Sequence, residues 1–271
     1  MKRKIVIVVA PTSGAPNIAN NPIESDVIAS DVVDCAQAGA SVVHMHARDD
    51  KGNLTTDLAT FNKTVNTIKN SCDIILEAST GGLSVLTAQE RLLPVNNPFT
   101  EIGSVNIGSL NFGDSVYQNG LNDVRFWLKE LSNKNVKPNV EIFDTGDMES
   151  ALNLIKEGLM ALPINFSFIF NLQWGMIYHP SILSYLKERA PSNSQWGALL
   201  IGSKDFSQHL NAARNGASFL RVGFEDSNQC NGKTAGSNSE LVCALREELE
   251  SAGFSIATVE ETRKILFPER F

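Results

Sequence analysis

Lys4-Ile5-Val6-Ile7-Val8-Val9-Ala10-Pro11-Thr12-Ser13-Gly14 is the stretch on which the fold turns. Its density of β-branched residues suits a buried strand. The loop after that strand separates two α/β architectures. A doubly wound dinucleotide-binding sheet would continue into G-x-G-x-x-G, and Pro11-Thr12-Ser13-Gly14 is not that loop. The preceding Met1-Lys2-Arg3-Lys4 imitates the start of a signal peptide. The apolar run Ile5–Ala10 is only six residues, however, which is short for such a segment, so it reads as a first strand.

Further along the chain, short β-rich segments alternate with helical patterns. Strands are expected at Lys4–Ala10, Ser41–His46, Asp73–Ala78, Ser104–Ile107, Asn139–Ile142, Phe166–Leu172, Trp196–Ile201 and Phe219–Val222. Helices are expected at Glu24–Gln37, Asp57–Asn70, Thr87–Leu93, Asp123–Ser132, Met148–Glu157, Ile182–Glu188, Ser207–Asn215 and Ser239–Ser251, with Val259–Leu266 after them. Thr87 and Glu90 have capping-box spacing. Glycines 39, 158, 216 and 253 mark helix ends. Eight strand–helix alternations in 271 residues predict a single-domain α/β (β/α)8 TIM barrel covering 1-271. Such barrels build their sites at the C-terminal ends of the strands.

The net charge of −7, with no basic run, argues against nucleic acid or an anionic membrane surface as partner. No run nears the roughly 20 apolar residues of a membrane span. Cys35, Cys72, Cys230 and Cys243 lack ligand spacing and read as free thiols of a cytoplasmic protein.

The second strand ends in His44-Met45-His46, which holds two of the chain's four histidines. Alternation puts both rings on one face, about 7 Å apart along the backbone. The pair can grip a divalent metal or cap a strand by hydrogen bonds. In a closed barrel the eighth strand neighbours the first, so its end flanks the same mouth as the second strand. There Arg221, Gly223 and Glu225 share a face, with Asp226 in the turn. Glu225 can complete a two-histidine, one-carboxylate site with open positions. Zn²⁺ is the first choice, although Fe²⁺ accepts the same donors. The competing reading is an Arg221–Glu225 ion pair that only fastens the strand. Ser79-Thr80-Gly81-Gly82 reads either as a ligand loop or as a strand-to-helix turn. Glu141-Ile142-Phe143-Asp144 reads either as a pocket acid or as a helix cap.

Motifs spread over almost the full length resemble the beta-keto acid cleavage enzyme family, best known for 3-keto-5-aminohexanoate cleavage. They are Ala10-Pro11-Thr12, Ala38-Gly39-Ala40 leading into His44-Met45-His46-Ala47-Arg48-Asp49, Ser79-Thr80-Gly81-Gly82, and Gly108-Ser109-Leu110-Asn111-Phe112. Glu141-Ile142-Phe143-Asp144, Arg221-Val222-Gly223-Phe224-Glu225-Asp226 and Ser237-Asn238-Ser239-Glu240-Leu241-Val242 complete the set. The resemblance implies a zinc-bearing barrel, a homotetramer, that converts a β-keto acid and acetyl-CoA into acetoacetate and a new acyl-CoA by a retro-Claisen exchange. It further implies zinc on His44, His46 and Glu225, a base dyad of Arg221 with Asp226, and a catalytic glutamate at Glu141. Ser79, Thr80, Gly81, Asn106 and Ser109 would line the substrate.

The chain departs from that pattern in two places. Amino-substituted keto acids meet, in the family, a glutamate just after Gly-Ala behind the first strand, where this chain has Gly14-Ala15-Pro16-Asn17. A cationic amine lacks its partner there, so 3-keto-5-aminohexanoate is not the expected substrate. Asn106 stands where the family often has threonine. A metal-dependent aldolase or hydrolase on the same barrel, and a non-catalytic small-molecule binder, are the competing functions. His179 reads as a loop residue and His209 as a surface or packing residue. Trp174-Gly175-Met176 reads as pocket lining, an acyl-CoA channel or core.

Overall fold

The computed structural model describes residues 2–15, 18–82 and 85–271, so Pro16 and Asn17, on which the first departure rests, lie outside them. Eight parallel strands close a barrel: β1 (Lys4–Val9), β2 (Val42–Met45), β3 (Ile75–Ser79), β4 (Thr100–Asn106), β5 (Lys137–Ile142), β6 (Asn165–Phe170), β7 (Gln195–Leu200) and β8 (Phe219–Val222). Closure is direct, with β8 pairing β1 from Val6↔Phe219 to Val9↔Val222. A two-residue strand, Ser255–Ile256, extends the start of β1 from outside. Helices α1 (Ser25–Ala38), α2 (Ala59–Ser71), α3 (Ala88–Arg91), α4 (Leu121–Asn133), α5 (Thr145–Lys156), α6 (Pro180–Arg189), α7 (Ser207–Arg214) and α8 (Asn238–Ser251) form the outer ring, and α9 (Val259–Leu266) comes after them.

Strand alternation sorts the side chains. Outward residues such as Ile5, Ile7, Val43, Leu76, Val140 and Phe168 join the large core beneath the helices. Inward residues low in the barrel form a second core of Val6, Val8, Val42, Ile75, Ile102 and Phe219, plugged from below by Leu266 and Phe267 at the end of α9. Above that plug the interior turns polar, with His44, Glu77, Ser104, Asn139, Glu141, Ser167 and Arg221 all buried. The chemistry therefore sits on an apolar floor at the C-terminal ends of the strands.

Some elements differ from the sequence-based expectation. β4 starts at Thr100, four residues before the expected Ser104, because Gly103 and half-buried Glu101 hide its start. Gly103 is where α4 packs closest, since a Cβ there would lie 2.5 Å from Leu131 Cδ2. The Thr87–Glu90 capping box forms, but α3 ends at Arg91 and gives way to a 3₁₀ turn, Leu93–Asn96, around Pro94. A hairpin absent from the expectation, Leu110–Phe112 with Ser115–Tyr117, rises after β4 around Gly113.

His209, on α7, is buried, with Nε2 3.3 Å from the Arg221 carbonyl and Nδ1 unpartnered. It is thus a packing residue against the outside of β8. Burial lowers its pKa from 6.5 to about 4. The unfolded chain takes up this proton below about pH 6.5 and the folded chain only near 4. Stability from the neutral ring is therefore full above about 6.5 and is lost as pH falls toward 4.

Both packing features can be tested by stability. Phe267→Ala should destabilise by roughly 3–5 kcal/mol in urea unfolding, and a loss under about 1 kcal/mol would mean the plug is not packed as described. The stability gap between the wild type and His209→Gln should narrow between about pH 6.5 and 4.5, by at most about 1.4 kcal/mol per unit. A gap that holds constant with pH would contradict the burial of a neutral ring.

Candidate metal centre and active site

His44 faces the barrel interior from β2, in register with Glu77 of β3. Its Nδ1 lies 2.6 Å from Glu77 Oε1, both side chains being buried. A carboxylate at that distance accepts a hydrogen bond from Nδ1–H, which keeps the proton on Nδ1 and leaves the Nε2 lone pair free. Asn139 Nδ2 donates to Glu77 Oε2 at 2.8 Å, and Ser167 Oγ donates to Asn139 Oδ1 at 3.0 Å. The imidazole is therefore oriented by a chain of hydrogen bonds crossing β3, β5 and β6.

His46 stands just beyond the end of β2 on the same face, its Nε2 3.4 Å from His44 Nε2. Glu225 arrives from the loop after β8, with Oε1 3.6 Å from each of those nitrogens. Gly223 makes that approach possible. Its φ is 142°, and a Cβ there would lie 2.2 Å from the Ala10 carbonyl oxygen. The chain crosses the end of β1 at that point, and the Glu225 N–H donates to Ala10 O at 3.2 Å.

Three lone-pair atoms thus form a nearly equilateral triangle. Ligands about 2.0–2.1 Å from one tetrahedral ion lie roughly 3.3–3.5 Å apart, so this donor set fits a divalent metal. The Glu77–His44 contact supplies the outer carboxylate such histidines normally carry. His44, His46 and Glu225 form a possible metal-holding group among the described residues.

The electrostatics agree with a cation at the centre. Burial opposes charging the His44 ring, but Glu225 and Glu77 outweigh it and raise its pKa. Burial wins at His46 and lowers its pKa. Burial alone would raise Glu225, yet the two imidazoles and Arg221 hold it well below the usual carboxylate range.

Arg221 projects inward from β8. Its Nε and Nη2 donate to the two oxygens of Asp226 at 2.9 and 2.6 Å, a side-on fork. Nη2 also donates to Glu225 Oε1 at 3.3 Å, and Nη1 lies 3.8 Å from Glu141 Oε1. Burial pulls the guanidinium pKa down, but these carboxylates lift it above its ordinary value. Burial raises Glu141 to about 7. Asp144, three residues on, caps α5. The Glu141-Ile142-Phe143-Asp144 stretch therefore supplies both a helix cap and a buried acid.

The other sequence-predicted residues take varied places around the mouth. Ser79 Oγ is buried and accepts the Gly81 N–H at 3.0 Å. Asn106 is buried with Oδ1 unpartnered. Thr80 is buried and its hydroxyl donates to the Ser104 carbonyl at 2.6 Å. Ser109 is exposed, and its Oγ accepts the Asn119 N–H at 2.8 Å. His179 caps α6 through Ser181. Trp174 is 67% exposed with φ 72°, whereas Met176 packs inside.

Sequence reasoning assigned no role to Glu77, Asn139 or Arg91. Glu77 was detectable in principle, being two residues before Ser79 on the same strand face. Arg91 lies 4.3 Å from the Trp127 ring centroid and 5.1 Å from that of Tyr117. It donates to Thr80 O, Gln118 O, Tyr117 OH and Asn119 Oδ1, tying the hairpin to the β3 loop. Arg48, from the loop after β2, lies against Gly14, where a Cβ would be 3.1 Å from Nη2.

Comparison with known proteins points the same way. The model of the beta-keto acid cleavage enzyme family matches residues 4–267. The chain is 33% identical over 273 residues to a 3-keto-5-aminohexanoate cleavage enzyme of Fusobacterium nucleatum, covering 98% of both chains. It is 28% identical to a 3,5-dioxohexanoate:acetyl-CoA acetone transferase of Paraburkholderia graminis, covering 98% of this chain and 96% of that one. Among solved structures, ObcA in ternary complex with a C4-CoA adduct and oxalate shares the fold, with TM-score 0.78 at 19% identity over 92% of this chain and 67% of that one. With the barrel intact and the match running nearly end to end, the chain belongs to the beta-keto acid cleavage enzyme family.

Proposed function

We propose that this protein is a zinc-dependent enzyme that exchanges a β-keto acid with acetyl-CoA to give acetoacetate and a new acyl-CoA. The observation that carries this reading is the His44, His46, Glu225 triangle facing Arg221, Asp226 and Glu141 in one barrel mouth. The names of relatives that transfer groups between keto acids and acetyl-CoA support it. In the exchange, C2 of the keto acid loses a proton and bonds to the acetyl carbonyl carbon, whose bond to the CoA sulfur breaks. The released CoA thiolate attacks C3, the original C2–C3 bond breaks, the acyl group at C3 leaves on sulfur, and C2 of the acetoacetate takes a proton back.

Zinc on His44, His46 and Glu225 would supply a Lewis acid for the ketone and carboxylate oxygens of the acid. Arg221 keeps its proton, since a guanidinium paired with a carboxylate is a poor base, and it stabilises negative charge developing at the ketone. Asp226 is then the basic member of the dyad and also fixes the guanidinium plane. Glu141, with its pKa about 7, can hold a proton at neutral pH and return it. The Ser79 hydroxyl, which accepts the Gly81 N–H and has its own proton to donate, and the Asn106 amide meet the acid itself. Thr80 and Ser109 keep the wall in place through Ser104 and Asn119. We place the enzyme in the cytoplasm as a homotetramer.

The test is a panel of β-keto acids scored for acetoacetate with and without acetyl-CoA. Product that depends on the thioester is expected, and cleavage without it would favour an aldolase or hydrolase. His46→Ala should reduce bound zinc from about one per chain to near zero with the fold retained by circular dichroism; undiminished zinc would remove this site. Arg221→Lys keeps the charge but loses the fork, so it should retain zinc while kcat falls about 100-fold. Normal turnover would exclude Arg221 from the mechanism.

A further inference from the structure

We infer that Tyr117 is a further catalytic residue, its hydroxyl donating a hydrogen bond to the acetyl-CoA carbonyl oxygen as that oxygen takes up negative charge. The inference rests on the cleavage reading above and adds to it a donor for the second substrate. That reading gives the oxygens of the keto acid zinc and Arg221, and it leaves the thioester oxygen with neither. Tyr117 lies on the hairpin after β4 and reaches into the mouth. A Cβ on Gly81 would be 3.0 Å from the Tyr117 hydroxyl, 2.9 Å from Ser79 Oγ and 3.1 Å from His46 Cε1. With no side chain at Gly81, the hydroxyl therefore stands beside a serine that meets the acid and beside the edge of a candidate zinc ligand. In the closed eight-strand order β4 lies opposite β8, so Tyr117 and Arg221 come from facing walls. The carbon–carbon bond forms between those walls.

The hydrogen bonds of the hydroxyl leave it one task. Arg91 Nη2 donates to it at 3.0 Å, and the Gly82 N–H donates to the same oxygen. With its lone pairs so engaged, the group has its proton left to offer, and among the described residues no acceptor takes it. Burial pushes the phenol up to about 12 against the pull of Arg91, so the proton stays in place at neutral pH. Arg91 behind it is buried, and its other donors go to the neutral acceptors Thr80 O, Gln118 O and Asn119 Oδ1. No carboxylate among the described residues pairs with it. A cation held this way polarises the O–H it contacts, and the chain from Arg91 through Tyr117 turns positive potential toward the mouth. When the C2 carbanion adds to the acetyl carbonyl carbon, the π pair moves onto oxygen, and the Tyr117 O–H holds that alkoxide without giving up its proton. As the carbonyl re-forms, the C–S bond breaks and CoA leaves as thiolate.

Tyr117→Phe removes the hydroxyl and keeps the ring, with its edge contact to Phe112 and its place under Arg91. With zinc-loaded protein, acetyl-CoA and the fastest acid of the panel, kcat should fall about 100-fold, while zinc content and the KM for the acid stay within about twofold. A kcat within about twofold of the wild type overturns the assignment. A raised KM for the acid at unchanged kcat overturns it too, because the hydroxyl would then serve the acid's carboxylate. Infrared difference spectra of acetyl-CoA carrying ¹³C at the carbonyl read the contact without turnover. The thioester C=O stretch should lie lower on the wild type than on Tyr117→Phe, and equal frequencies contradict the contact. A lowered stretch on a wild type that cleaves no acid would count against the cleavage reading and leave the Tyr117 contact standing. A wild type that does not bind acetyl-CoA overturns both.

Discussion

The 2.6 Å contact between His44 Nδ1 and Glu77 Oε1 is the interaction on which the site depends. A buried carboxylate is costly unless it is paired and hydrogen-bonded. Glu77 meets that demand with His44 on one oxygen and Asn139 on the other. One consequence is mechanical, since the imidazole ring is fixed in orientation. The other is chemical, since the proton is placed on Nδ1 and the Nε2 lone pair is aimed at the centre of the mouth. His46 and Glu225 complete a donor set around a direction that Glu77 has already chosen.

The barrel makes this arrangement possible by dividing its interior. The lower part is apolar and plugged by Leu266 and Phe267. The upper part carries more carboxylates than cations. Arg221 lies among Asp226, Glu225 and Glu141, so one cation serves three carboxylates. A metal at the triangle would supply the remaining positive charge. Closure through the β1–β8 pairing then becomes functional, because it brings Glu225 across the end of β1 to the histidines on β2.

Much of this was legible in the sequence, for identifiable physical reasons. Alternation along Val42–His46 put the two imidazoles on one face, and barrel closure fixed which strand ends meet, whereas Glu225 reaches them through the turn at Gly223 and not by strand alternation. The Thr87–Glu90 box formed because capping is local. What was missed depends on contacts distant in sequence. The start of β4 was hidden because Gly103 has low strand propensity, and Leu131 of α4 explains the glycine. Arg91 falls within the expected helix Thr87–Leu93, and only folding places it beside both Trp127 and Tyr117. The buried Nε of Arg48, without a partner among the described residues, was invisible as well, because lacking a partner is a property of the folded surroundings.

The central claim is that His44, His46 and Glu225 hold one divalent metal. Diffraction from crystals of the zinc-loaded protein, collected on either side of the zinc absorption edge, tests it most directly. The account predicts a single anomalous peak inside the barrel mouth, about 2.0–2.2 Å from His44 Nε2, His46 Nε2 and a Glu225 carboxylate oxygen. A peak elsewhere, or a mouth without one in protein that binds zinc stoichiometrically, would contradict it.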